Sequence, residues 1–462
     1  MNPAGVLWRL SAAELAAAYA AGTADPVAAL ESCLGRLDAV NGALNAVVTL
    51  DADGARAAAA QSRARWQRGA PLSGLDGVPI TVKDNLFVRG LRATWGSRLY
   101  SDHVAEEDDL PVARLRAVGA IIIGKTNTPE LSLAGFTTND VFGSTANPWD
   151  TRLSPGGSSG GAVAAVAGGI APIAIATDAG GSTRRPASHA GCVGLKASVG
   201  RIARGAGFPA LTSDLQTIGV IARTAGDVQA VMAIIAPAIA PPIAPAPPQD
   251  AAAPQVIGAF CDLPGWPLDG EVRRSYQQAI RRLESLGHRV REIPAPYDPD
   301  EVNRLFGTLA AAGVARTVRR FPDWRGRVTA PIAAMAETGL GLAATDYLDA
   351  LDAVHAMRRS LMGVFEGLDL LLTPTAAALP WPREDAFPAT IDGQAASPRA
   401  SAVFTTFVNL AGFAAISVPA APSASGLPIG IQLIGGAGSE ERLIGLADAL
   451  DRQSPWEKLA PL

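Results

Sequence analysis

Apolar and polar positions along this chain alternate between helix-like stretches and short, strand-like runs. Ser11-Ala12-Ala13-Glu14 carries the serine and glutamate of a capping box and predicts a helix start. Asp25-Pro26 predicts a second, with proline at the first helical position. Residues 45–50 read as a short strand and 51–68 as an exposed, alanine-rich helix. Ile80-Thr81-Val82 is a brief β-like run leading into Lys83. Residues 110–119 fit a helix, and 120–124 show the β-branched run and terminal glycine of a buried strand. Residues 160–169 predict a glycine- and alanine-rich helix. Residues 170–176 predict a buried strand that delivers Asp178 and Ser182 at its end. Helical patterns return at 271–286 and 346–365, and strand patterns at 368–372 and 415–418. The fold class expected from this alternation is α/β. Pro237 to Pro254, rich in proline and alanine, reads as a stiff connector. No internal repeat or heptad run is present.

Length adds a prior of about three domains, with one large α/β domain as the alternative. The chain is 48% hydrophobic and 18% charged, so it can bury a large core. A net charge of −4 gives no electrostatic case for nucleic acid or an anionic membrane. The four histidines form no recognisable metal spacing. The three cysteines are far apart, which argues against a disulfide framework and for a reducing, cytoplasmic setting. The first residues lack the basic and then apolar segments of a secretion signal. The small-residue run 162–176 is broken by glycines and a proline and reads as core, not as a membrane span.

Candidate chemistry is concentrated in Ser154-Pro155-Gly156-Gly157-Ser158-Ser159-Gly160-Gly161, in Thr177-Asp178-Ala179-Gly180-Gly181-Ser182, and in Lys83 upstream. Each alone has a bland reading: a flexible glycine turn, a strand-to-loop turn with a capping serine, a solvated lysine. A phosphate cradle fits poorly, because the Walker spacing and the dinucleotide fingerprint are absent. The ordered set is more informative. Glycines let the backbone approach a reacting group and aim several N–H groups at it, serine supplies an attacking hydroxyl, and a neutral lysine supplies a base. Together they suffice for acyl transfer without histidine.

This ordered set resembles the amidase signature family, whose members cleave C–N bonds with a Ser–Ser–Lys triad. The resemblance spans about residues 75–221, including Gly124-Lys125-Thr126-Asn127 and Gly194-Leu195-Lys196. It resumes in Thr405-Thr406-Phe407-Val408-Asn409-Leu410-Ala411-Gly412 and in Gly426-Leu427-Pro428-Ile429-Gly430-Ile431-Gln432. It implies one amidase signature domain over 1–462, with a mixed central sheet of roughly eleven strands sandwiched by helices. Within it lie a signature core (75–221), the connector (237–254), a variable substrate-shaping region (255–400) and a core return (401–450).

The resemblance further implies that Ser182 is the nucleophile, Ser158 the bridging serine after a cis Gly157–Ser158 peptide, and Lys83 the base. An unperturbed lysine titrates at about 10.4. Burial among Val78, Ile80 and Val82 would favour its neutral form. The N–H groups of Ala179, Gly180, Gly181 and Ser182 are the expected oxyanion hole. Ser159 and Asp178 are expected to brace the two turns, and Arg184 to be structural. Arg185 stands where relatives acting on amides of dicarboxylic acids carry an arginine. It either reads a substrate anion or braces the loop through Asp178 or a carbonyl. Trp95, Phe136 and Phe208 either line an acyl pocket or pack in the core. His189 is expected to be structural and Cys192 a small core residue. Thr183 and Ala197-Ser198 depart from the common family pattern without removing a catalytic group.

The expected activity is hydrolysis of a small-molecule carboxamide, with no metal or organic cofactor and no nucleic-acid or membrane partner. The oligomeric state is open, with a homodimer as one option. Three rivals stand beside it: a deaminase of an amino-substituted unsaturated acid such as 2-aminomuconate, the glutaminase subunit of a tRNA-dependent amidotransferase, and an inactive binding protein on the same scaffold.

Overall fold

A computed structural model describes residues 3–236 and 253–462. The connector expected at Pro237–Pro254 lies outside the described residues, apart from its last two positions. The early helix signals act locally as read. Ser11 Oγ accepts from the Glu14 N–H and Glu14 accepts from the Ser11 N–H, closing a capping box on the helix Ala12–Ala20. Asp25 accepts from the N–H groups of Val27 and Ala28 and starts the helix Pro26–Leu44. The strand expected at 170–176 runs instead over Ile173–Asp178. A turn at Gly168-Gly169 and then Pro172 hold its start back. The helix expected at 346–365 spans Ala344–Met362 and ends in a 3-10 turn over Gly363–Phe365.

Eleven strands form one mixed sheet. They are β1 Val47–Leu50, β2 Pro79–Lys83, β3 Ile121–Thr126, β4 Ile173–Asp178, β5 Val193–Lys196, β6 Thr217–Ala222, β7 Val256–Ala259, β8 Arg289–Glu292, β9 Leu370–Pro374, β10 Ala414–Pro419 and β11 Gly430–Gly435. Their order across the sheet is β1-β3-β2-β4-β6-β5-β10-β11-β9-β7-β8. Helices flank the sheet, giving the α/β architecture that the resemblance implied. β2, β3, β4, β5, β6, β9, β10 and β11 are buried along their whole length, as the near-continuous apolar runs of doubly covered strands require.

One feature of the topology places the chemistry. β2 and β4 are parallel neighbours in the register Ile80↔Ile173, Thr81↔Ala174, Val82↔Ile175. Their carboxyl ends therefore open on the same edge, carrying Lys83 and Thr177-Asp178 to one place. The helices Gly160–Ala167 and Arg184–Ala190 begin there too, just after Ser159 and Ser182. No described helix is long and apolar enough to cross a membrane.

The helix Pro299–Val318 leans on this edge through close backbone contact. A Cβ at Gly313 would collide with the carbonyl oxygen of Leu211. Gly307, on the same helix, has nothing within 4 Å of where its Cβ would stand. Gly313→Ala should therefore cost about 1–3 kcal/mol of stability, because backbone must move to admit one methyl. Gly307→Ala should be neutral or stabilise by up to about 1 kcal/mol through helix propensity. Denaturant midpoints of the two variants check this. Equal midpoints would show that the helix does not approach Leu211 as described.

Candidate active site

Lys83 closes β2 with no solvent exposure. Its Nζ lies 2.8 Å from Ser158 Oγ, 2.9 Å from Ser159 Oγ and 3.3 Å from Thr177 Oγ1. All three acceptors are hydroxyls. Burial pulls the Lys83 pKa down to about 7, against a smaller opposing effect of the Asp178 charge. Thr177 Oγ1 also accepts from Asn85 Nδ2 (2.8 Å), and Ser159 Oγ donates to the Thr177 carbonyl (3.4 Å). The Gly157–Ser158 peptide is cis.

The second turn is built around Asp178. Its carboxylate accepts from the N–H groups of Gly181 (2.7 Å), Thr183 (3.0 Å) and Arg184 (3.4 Å). Arg184 closes an ion pair on it at 2.8 Å, with both side chains fully buried. Burial alone would push the Asp178 carboxyl up. The charge and hydrogen bonds of Arg184, with Lys196 and Asn409, outweigh that and hold it far below the usual carboxylate range. Gly181 sits at φ +108°, and a Cβ there would strike Thr405 Oγ1, so only glycine fits. Thr405 Oγ1 donates to the Gly180 carbonyl (2.9 Å) and fixes the plane of the next peptide. The Ser159 N–H donates to the Ser182 carbonyl (3.2 Å), tying the two serine turns together. Ser158 and Ser182 both face one small cleft, walled by Leu131, Leu211, Thr212 and Gln216.

Of the expected residues, Lys83, Ser158, Ser159, Asp178 and Ser182 converge here. Among the expected oxyanion donors, the Gly181 N–H is committed to Asp178, which leaves those of Ala179, Gly180 and Ser182. Arg185 does not brace the turn through a side-chain bond to Asp178 or to a carbonyl. Among the described residues, its buried Nε has no hydrogen-bond partner. Trp95 and Phe208 do not line the cleft. They stack on each other at 4.6 Å in one apolar cluster with Leu131 and Leu211. Phe136 is half-exposed, and its backbone packs where a Cβ of Gly157 would stand. His189 lies edge-on to Trp381 with Nε2 3.2 Å from the Ala378 carbonyl oxygen. Burial lowers its pKa to about 4, so it is neutral at physiological pH. Cys33, Cys192 and Cys261 are all buried and unpaired. Among the described residues, no group of three or more His, Cys, Asp or Glu could hold a metal ion.

Residue reading alone did not assign roles to Thr177, Asn409, Gln432 or Arg399. Thr177 shares the Lys83 acceptor set. Asn409 and Gln432 accept from Arg184 at 2.5 and 2.6 Å. Both stand inside the C-terminal stretches that carry the resemblance, and that was the available signal. Arg399 lies outside them and had none.

The family model described as Amidase matches residues 28–444. Two curated relatives are the glutamyl-tRNA(Gln) amidotransferase subunits A of Geotalea daltonii and of a Synechococcus species. The first is 33% identical over 94% of each chain, the second 35% identical over 90% of each. Among solved structures, a bacterial aryl acylamidase of the amidase signature family superposes with a TM-score of 0.88. It is 26% identical, over 97% of this chain and 96% of that one. The 6-aminohexanoate cyclic dimer hydrolase superposes with a TM-score of 0.85 at 28% identity, over 98% and 99%. With the eleven-stranded sheet and the serine turns on its β2–β4 edge, these matches make the chain a member of the amidase signature family and an enzyme that hydrolyses carbon–nitrogen bonds.

Proposed function

We propose that the chain, acting as one amidase signature unit, hydrolyses a small-molecule carboxamide through an acyl-enzyme on Ser182. The observation that carries this reading is the Lys83 environment, a buried amine within hydrogen-bond reach of three hydroxyls. A neutral amine has two N–H donors and one lone pair. With three hydroxyl neighbours, one of them must donate to the lone pair, and Ser158, at 2.8 Å, is the nearest. Lys83 then takes the Ser158 proton as Ser158 takes that of Ser182, and Ser182 Oγ bonds to the amide carbon. The oxyanion rests on N–H groups of Ala179, Gly180 and Ser182. The proton returns through Ser158 to the departing nitrogen as the C–N bond breaks. Water then repeats the relay, releasing the carboxylic acid and restoring Ser182. Asp178, Ser159 and Arg184 hold the two turns in register for this transfer. The buried, unpaired thiols fit a reducing, cytoplasmic setting.

The names of the curated relatives favour a second reading, in which the chain is the glutamine-hydrolysing subunit of a tRNA-dependent amidotransferase. That reading requires a stoichiometric partner subunit, and co-purification from the native host separates the two.

A fluorophosphonate probe should label Ser182, read by peptide mass spectrometry. Label on Ser158 or Ser159 with Ser182 free would reverse the assignment. Lys83→Arg keeps the positive charge but cannot lose it, and should lower turnover by about two orders of magnitude or more. The rate against pH should rise as Lys83 loses its proton, through a pKa of about 7. Lys196 is also pulled down to about 7 by burial, but its Nζ faces the carbonyls of Ala197 and Phe413, not Ser158. Near-normal turnover in a folded Lys83→Arg protein is incompatible with the relay.

A further inference from the structure

Thr212, on the wall of the Ser158/Ser182 cleft, is 1% exposed, and among the described residues nothing bonds its buried Oγ1. The wall hydroxyls around Ser182 are otherwise taken up. Those of Ser158 and Thr177 meet Lys83, and Ser132 Oγ shares a 2.9 Å hydrogen bond with Thr128 Oγ1. Thr212 also precedes the 3-10 turn Ser213–Leu215, where a threonine side chain ordinarily accepts from an N–H of the turn that follows. Here the Leu215 N–H goes to the Thr212 carbonyl (3.2 Å), and the side chain caps nothing.

The main chain is fastened on both sides of this residue. Arg316 Nη2 donates to the Ala210 carbonyl (2.6 Å), and the Leu211 carbonyl oxygen packs against Gly313 of the helix Pro299–Val318. Asp214 pairs with Arg358 at 2.8 Å, and Asn409 Nδ2 donates to the Leu215 carbonyl (3.1 Å). Ser213 sits at φ +55°, a left-handed conformation that few non-glycine residues adopt. A buried hydroxyl without a partner is destabilising, and this one is held in place by an anchored backbone. Such an exception fits a group kept ready for a ligand. Leu131, Leu133, Leu211 and Gln216 stand on the same walls, and among the described residues none that lines the cleft is charged.

We propose that Thr212 determines specificity by hydrogen-bonding a neutral polar group, a hydroxyl or a carbonyl oxygen, on the acyl chain of the amide substrate. The proposal rests on amide hydrolysis at Ser182 and names the substrate class for it. The Thr212 hydroxyl both donates and accepts, so either group can satisfy it. A hydrocarbon acyl chain of the same shape would seal it against methyl groups and leave it unpaired. A carboxylate would lose its water among leucines and neutral side chains, with no cation on the cleft walls to receive it.

Calorimetric binding to the full-length Ser182→Ala protein tests this without turnover. Failure of the Ser182 chemistry is read separately, by probe labelling of the unaltered chain. Two pairs of amides set a hydroxyl against a methyl group at successive carbons: lactamide with isobutyramide, and 3-hydroxypropionamide with butyramide. In at least one pair the hydroxy amide should bind about tenfold tighter. Succinamide should bind more tightly than succinamate. Adding Thr212→Val replaces the hydroxyl by a methyl group of the same shape. It should erase the hydroxyl preference and leave the denaturant midpoint unchanged or higher, because no bond within the protein is lost. Thr212→Ser keeps the hydroxyl and should keep the preference. Absence of a preference in both pairs, a preference that survives Thr212→Val, a lower midpoint in Thr212→Val, or succinamate binding as tightly as succinamide would each overturn the proposal.

Discussion

Asp178 and Arg184 form an ion pair from which water is excluded, and the geometry of the Gly180–Ser182 turn depends on it. Removing two such charges from water costs several kcal/mol per ion, an outlay offset only when the remaining donors and acceptors are also met. Here they are met. The guanidinium has five N–H donors and reaches five acceptors: both Asp178 oxygens, the Thr405 carbonyl, Gln432 Oε1 and Asn409 Oδ1. The Asp178 carboxylate in turn accepts from three backbone N–H groups of its own turn and from Asn409 Nδ2. A turn that would otherwise be a glycine-rich loop is thus fastened to β11 and to the helix Thr406–Ala411. Loss of either partner would leave a buried charge alone, and such losses cost about 3–5 kcal/mol.

That closed network also decides the charge of its neighbours. Because Asp178 is neutralised by Arg184, it opposes the desolvation of Lys83 only weakly, and burial prevails. Three buried lysines show what the difference means. Lys125 keeps a carboxylate, Asp84 Oδ1, at 3.5 Å. Lys196 points at two carbonyl oxygens, which accept hydrogen bonds but have no proton to give. Lys83 alone of the three is surrounded by hydroxyls, which both accept and donate. A neutral amine among hydroxyls can move a proton, whereas the other two settings only anchor one.

Much of the scaffold was legible because its signals are local. The Ser11 capping box, the Asp25-Pro26 start and the apolar run of β3 each act within a few residues, and each predicted element is present, although β3 runs two residues past Gly124. Boundaries slipped where a turn competed, as before β4. The triad candidates were legible because glycine turns with serine are rare in this order. What fastens them was not, since Arg184 reaches acceptors 221 to 248 positions away, and no periodicity encodes such a pairing. Trp95 and Phe208 illustrate the converse. An aromatic near a motif in sequence can serve an apolar cluster just as well, and here the two stack on each other in one that includes Leu131 and Leu211. Arg399 carried no sequence signal, because its contacts with Asn303, Phe306 and Thr406 are made between distant or irregular segments.

The helix Pro299–Val318 touches both the Gly180–Ser182 turn and the wall of the cleft. Phe306 on this helix packs beside Gly180 of the Ser182 turn and carries Arg399 on its ring. Gly313, seven residues on and about 10 Å further along the axis, lets the same helix rest on Leu211, a wall of the cleft. A single rigid element therefore touches the turn at one point and the cleft wall at another. Substitutions along it can reshape the cleft while leaving Lys83, Ser158 and Ser182 in place. The chemistry is fixed by strand ends and a closed ion network. The helix Pro299–Val318 only leans on them, at Gly180 and at Leu211, so the two parts of the fold can vary separately.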